Sequence, residues 1–350
     1  MTPDLPPLTP DWPPAGPPEA APPPAPPRDP VWRGIDVALI LVMIGLALVV
    51  ALLVGVAVLA IAGHTGAADA AGLRPLIDAR FLLAVQTVAL AAGLAFAWRW
   101  IQSLYRAPFW RAIHWRKIPS SWVGRALLIG IGLSLVLQVL ENYLPLPQQL
   151  PIDKLFNPRT AWAVTIYGVV VAPFFEEIIF RGLIYPSLRR SFGEGMSRQQ
   201  ARAWRPFLWA GAAAAALIAG LAWLRLAAAG LPPTRAEAGF WAAIVFGILA
   251  APILDGVAWV FRLLARLGRA ELLAILATGI LFGLAHGSQL ANALVPIALI
   301  SVVGIVLTAV RAASGSVVAS WVMHCAYNGT LFFLLFVGTH GYRDFHKLIH

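Results

Sequence analysis

Nine apolar runs, each near the length of about 20 residues that a helix needs to cross a bilayer, fall at 37–62, 81–98, 122–140, 160–180, 207–229, 239–262, 270–286, 291–310 and 315–338. A chain with this pattern has few folds open to it. In hydrocarbon every backbone N–H and C=O must be satisfied without water, and outside closed barrels only helices achieve that. The expectation is an all-α fold, a polytopic membrane helix bundle of about eight to nine transmembrane helices. The residue content agrees: 59% of the chain is hydrophobic and 12% charged, which is more apolar than a soluble core of this size requires.

The formal net charge of +10 raises the question of a nucleic-acid partner, but the basic residues sit in short loops beside apolar runs, where they set orientation instead. Arg99, Arg106, Arg111, Arg116 and Lys117 lie between the second and third runs. Arg189, Arg190, Arg198, Arg202 and Arg205 follow the fourth, and Arg262, Arg266 and Arg269 precede the seventh. The loop between the third and fourth runs carries only Lys154 and Arg159 against Glu141 and Asp153. By the positive-inside rule the three basic loops and the N-terminus face the cytoplasm. The expected partner is a lipid bilayer and not nucleic acid. Cys325 is the one cysteine, so an intrachain disulfide and a thiolate zinc cage are both excluded.

Fourteen of the first thirty residues are proline. Such a stretch lacks amide donors and apolar surface, and residues 1–34 are expected to form an extended or disordered tail. The run 37–62 is too long and starts too late for a signal-peptide core, so it reads as a retained membrane helix. Residues 35–350 then form a single transmembrane domain. His64, His114, His340, His346 and His350 fall in loops or at the terminus and are expected to be solvated.

Three polar clusters interrupt the apolar runs: Glu176-Glu177-x-x-x-Arg181, Phe282-x-x-x-His286 and His324-x-x-x-Asn328. Ionisable groups at membrane depth are costly and mark functional sites by default. Glu177 and Arg181 are four residues apart with the acid first, the favourable order for an ion pair on one helix face. Glu176 points about 100° away from its neighbour. The pair therefore anchors the helix and leaves Glu176 for proton transfer; the alternative is a purely structural charge network. Phe282 can wall a pocket entered by His286. His324 and Asn328, again one turn apart, can present two donors to a developing negative charge, or simply bond neighbouring helices.

Taken in order, these residues resemble the intramembrane endopeptidases of the CAAX-prenyl-protease and bacteriocin-processing family, with supporting likeness at Gly304, Arg311 and Ser314-Gly315-Ser316. The resemblance covers about 160–193 and 270–332, the expected catalytic core. It implies a hydrolase in which Glu176 and His286 activate a water, His324 and Asn328 stabilise the oxyanion, and Glu177, Arg181 and Phe282 position the site. It implies a cavity open to the cytoplasmic side, a peptide or membrane-protein substrate, and no required metal. One hundred residues separate Arg181 from Phe282, more than the family pattern needs, and 194–269 reads as a two-helix insertion.

Two alternatives stay open at this level. Glu176, Glu177, His286 and His324 are donors suited to Zn²⁺ with an open water position. A transporter or scaffold with a buried charge network is the non-hydrolytic reading. The alanine-rich composition suggests a bacterial inner membrane. Depth poses a further question, because these boundaries put Glu176 near the inner end of its span and His286 near the outer end of its own.

Overall fold

The computed structural model describes residues 29–64, 78–144, 146–147, 150–194 and 268–345. The proline-rich stretch before Asp29 and the inserted spans expected at 207–229 and 239–262, with Asp255, lie outside the described residues. Within them the chain is helical, with α1 Gly34–His64, α2 Ala79–Tyr105, the short α3 Phe109–Ala112, α4 Ser120–Glu141, α5 Ala161–Gly193, α6 Arg269–Ala285, α7 Leu294–Ser314 and α8 Val317–Gly338. Six of these are long and apolar enough to cross a membrane: α1, α2, α4, α5, α7 and α8. The protein is an integral membrane helix bundle.

Local sequence sets the helix ends. Asp78 caps α2 by accepting the Phe81 N–H at 3.0 Å, and Ser316 caps α8 by accepting from Val318 at 3.2 Å, each satisfying a donor that the first turn leaves free. Gly315 closes α7 at φ +68°, a left-handed position that glycine occupies without strain. The two-residue link Gly315-Ser316 makes α7 and α8 antiparallel neighbours. α1 carries large apolar side chains exposed on many sides, among them Ile35, Val42, Leu53 and Ile61. In hydrocarbon that surface faces lipid tails at no cost.

Without a hydrophobic drive between helices in lipid, close packing has to supply their association. α6 and α7 cross at glycines. A Cβ on Gly279 would lie 2.8 Å from the Ile305 Cα, and one on Gly304 would lie 2.8 Å from the Gly279 carbonyl oxygen. The two backbones therefore touch, and α7 is brought directly over α6. Gly279→Leu is expected to push the helices apart and lower stability by about 3 kcal/mol, read as a drop in melting temperature in detergent; an unchanged melting curve would show that the crossing contributes little.

Two expectations need correction. The apolar run ending near residue 180 is only part of α5, which continues to Gly193. Glu176 is thus the sixteenth of 33 residues and stands near the middle of the helix instead of at its inner end. α6 is short, at 17 residues, and stops with His286 as its C-cap before a 3₁₀ turn, Gly287–Leu290. A long α5 beside a short α6 brings the two residues to one level.

His114 is the second correction. It is not a solvated loop histidine: its Nδ1 accepts from Arg311 at 2.8 Å and its Nε2 lies 3.3 Å from Asp29. Asp29 also pairs with Arg189 at 3.6 Å. The hydrogen bond from His114, aided by the charges of Arg189 and Arg311, holds the Asp29 carboxyl below the usual range. Arg190 donates to the carbonyls of Pro30 and Trp32, both at 3.1 Å, and Trp32 is fully buried. The last residues of the expected tail are in this way fastened to α5.

Candidate active site

α5 is not a uniform α-helix where the carboxylates emerge. It contains two π-turns, Tyr167–Val171 and Ile178–Ile184, on either side of Ala172–Glu177. Pro173 explains the first. Proline has no N–H and its ring clashes with the carbonyl one turn back, so the preceding turn widens to relieve it. In that turn the Ala172 N–H bonds the Tyr167 carbonyl. The next such bond would run from residue 173 to the Gly168 carbonyl, and proline has nothing to donate. Asn328 fills the place, with Nδ2 donating to the Gly168 oxygen at 2.6 Å.

Glu177 and Arg181 are completely buried, at 0% exposure each. A pair at that depth needs its remaining valences met; those of Arg181 are, while Glu177 Oε2 has no hydrogen-bond partner among the described residues. Arg181 Nη1 donates to Glu177 Oε1 at 2.9 Å, Nη2 to the Gly304 carbonyl at 2.8 Å, and Nε to the Thr308 hydroxyl at 3.2 Å. The Phe282 ring lies under the guanidinium, 4.4 Å from Cζ to the ring centre, a favourable cation–π placement. The same Glu177 oxygen accepts from His324 Nδ1 at 2.9 Å. Glu177 thereby joins α5, α7 and α8.

Glu176 faces a different way and meets the two histidines. His286 Nε2 is 3.8 Å from its Oε1, and His324 Nε2 is 3.8 Å from its Oε2. The Glu176 and His286 side chains keep 25% and 20% exposure, enough for water to reach them. Nδ1 of His286 donates to the Phe282 carbonyl at 2.7 Å, which turns Nε2 toward Glu176. The 3.8 Å between the two atoms fits one water hydrogen-bonded to both at about 2.8 Å with an angle of about 85°. Phe282 fixes this corner, 4.6 Å from the His286 ring and edge-on to His324 at 5.7 Å.

All seven residues singled out in the sequence therefore occupy one region. Glu176, His286 and His324 converge; Glu177, Arg181 and Phe282 stand behind them; Asn328 is tied to Gly168, one turn beyond His324. Thr308 and the Gly304 carbonyl went unrecognised as Arg181 partners, though a threonine four residues after a glycine in an apolar helix is a signal for this kind of contact. Pro173 was the readable sign of the irregular turn.

The four donors weighed for zinc lie in the same region, but not all four are free. Glu177 is occupied by Arg181 and His324, and among the described residues no group of three His, Cys, Asp or Glu side chains is spaced to hold a metal ion.

Residues 158–235 and 237–330 match the family model for type II CAAX prenyl endopeptidases, Rce1-like. Over these stretches, just under half of its length, the chain is similar to the Rce1-like family. All seven site residues lie within the matched stretches. No curated protein and no solved structure matches the chain. The Rce1-like family is one of proteases, so the likeness is to a hydrolase.

Asn328 carries one prediction here. Asn328→Leu leaves the Gly168 carbonyl without a donor, and stability is expected to fall by about 1–2 kcal/mol, measured by thermal melting in detergent. Asn328→Gln, with a longer amide, is expected to recover only part of it.

Proposed function

We propose that the protein is an intramembrane endopeptidase that hydrolyses a peptide bond in a membrane-associated or C-terminal peptide segment. The observation that carries the reading is the Glu176 carboxylate set 3.8 Å from each of two imidazoles at membrane depth. Glu176, with His286, takes a proton from the water between them as it attacks the scissile carbonyl. His324 is the donor to the resulting oxyanion through Nε2, its ring held by the Glu177 carboxylate at Nδ1 as a buried carboxylate holds the histidine of a hydrolase triad. Asn328 Nδ2 has a second hydrogen beyond the one given to Gly168 and completes the oxyanion hole. Arg181 holds Glu177 and keeps the two carboxylates from repelling each other. The proton taken from the water passes to the amide nitrogen as the C–N bond breaks, giving a carboxylic acid and an amine.

The rival reading, a transporter or scaffold, calls for clusters that face apart or lie at different depths. Their convergence favours hydrolysis. The basic loops support an orientation with the N-terminus in the cytoplasm, and the composition supports a bacterial inner membrane as the location. The test is cleavage of internally quenched peptides by the purified protein in detergent. Activity is expected to persist in excess chelator and to disappear in Glu176→Gln; strict metal dependence would replace this mechanism with a zinc-bound water.

A further inference from the structure

One hydroxyl near the Glu176 carboxylate has no partner. The Tyr167 oxygen is shut off from solvent and makes no hydrogen bond among the described residues, and it lies within electrostatic reach of Glu176. Buried hydroxyls are nearly always bonded, since removing one from water without a replacement costs stability. Phenylalanine would fill the same space without that cost.

The irregular turn of α5 determines where this side chain goes. Tyr167 precedes Glu176 by nine residues, which on an uninterrupted α-helix sets the two about 180° apart. The π-turn Tyr167–Val171 absorbs one residue in its wider loop, so the separation shrinks to about 80°. The turn is locked on its far side. Asn328 grips the Gly168 carbonyl at 2.6 Å, and a Cβ on Gly168 would lie 2.7 Å from the Phe332 ring, so Phe332 packs flush against the backbone. Along the axis the two Cα atoms are about 12 Å apart, which puts Tyr167 beside a part of the substrate away from the bond being cleaved.

We propose that the Tyr167 hydroxyl donates a hydrogen bond to a carbonyl or carboxylate oxygen of the bound peptide, at a position other than the scissile carbonyl. The proposal rests on the protease reading of Glu176. The oxygen is covered in the free protein, so the peptide reaches it only if its binding parts the packing around Tyr167; the contribution of the hydrogen bond is then to binding. Placed away from the bond being cleaved, the hydroxyl is expected to affect KM more than kcat.

The experiment compares the wild-type protein with Tyr167→Phe on an internally quenched apolar peptide selected for cleavage in detergent micelles. KM is expected to rise about tenfold, the worth of one hydrogen bond to a desolvated oxygen, with kcat within about twofold. The melting temperature of the free protein is expected to hold or rise by about 1–2 °C, because an unsatisfied hydroxyl has been removed. An unchanged KM, or a loss of kcat together with a lower melting temperature, overturns the proposal and makes the hydroxyl a structural group. Glu176→Gln separates the two levels of argument. If that variant still cleaves, the protease reading fails and this inference fails with it; if it is silent while Tyr167→Phe keeps the wild-type KM, only the inference falls.

Discussion

Glu176→Gln is expected to reduce cleavage by about 10³-fold or more, with the melting temperature within about 2 °C of wild type. Glutamine keeps the shape of the side chain and loses the ability to accept a proton, and general-base catalysis is worth about 10²–10⁴-fold. Stability is spared because, among the described residues, Glu176 makes no bond shorter than its two 3.8 Å approaches, in contrast to the buried Glu177. Glu176→Asp keeps the base but withdraws it by about 1.5 Å, and a misplacement of that size costs on the order of 10²-fold. The ordering wild type, Asp, Gln is the signature of a base in a set position. Equal activities for Asp and Gln would assign Glu176 a binding role instead.

Arg181→Met is expected to cost about 3–5 kcal/mol, the usual consequence of leaving one member of a buried ion pair alone. For a chain of this size that is a melting temperature lower by roughly 10 °C. The guanidinium serves three acceptors at once, Glu177, Thr308 and the Gly304 carbonyl, and methionine serves none. Activity should fall in parallel, because Glu177 loses the cation that fixes it and His324 with it. The double variant Glu177→Gln/Arg181→Met is expected to be more stable than Arg181→Met alone, since no uncompensated charge remains. Lysine at 181 presents one ammonium in place of a planar fork and should recover about half of the loss at most. Additive effects of the two single changes would mean that the residues are not energetically paired.

Legibility in the sequence followed the range of the interaction. The ion pair Glu177–Arg181, the Phe282–His286 contact and the helices themselves obey rules that act within one turn or one span. They were readable from spacing and hydropathy alone. The end of α5 was misjudged because hydropathy falls after Phe180, while the helix runs on through Arg189 and Arg190, whose partners Asp29, Pro30 and Trp32 are about 160 residues away. His114 was misjudged for the same reason: a histidine in a polar loop gives no sign of Asp29 and Arg311 on its two nitrogens.

By itself the sequence determined an all-helical membrane bundle, the resemblance to a protease family and the identity of the polar residues that cannot be idle in hydrocarbon. Only the tertiary structure decided that Glu176 lies between His286 and His324, that Arg181 is shared with α7, that Asn328 answers a carbonyl orphaned by Pro173, and that Tyr167 is left without an acceptor. Each of these joins elements distant in the chain or depends on a one-residue change in helical phase, and packing sets both. A spacing rule follows one helix; the chemistry of this site is held in common by four.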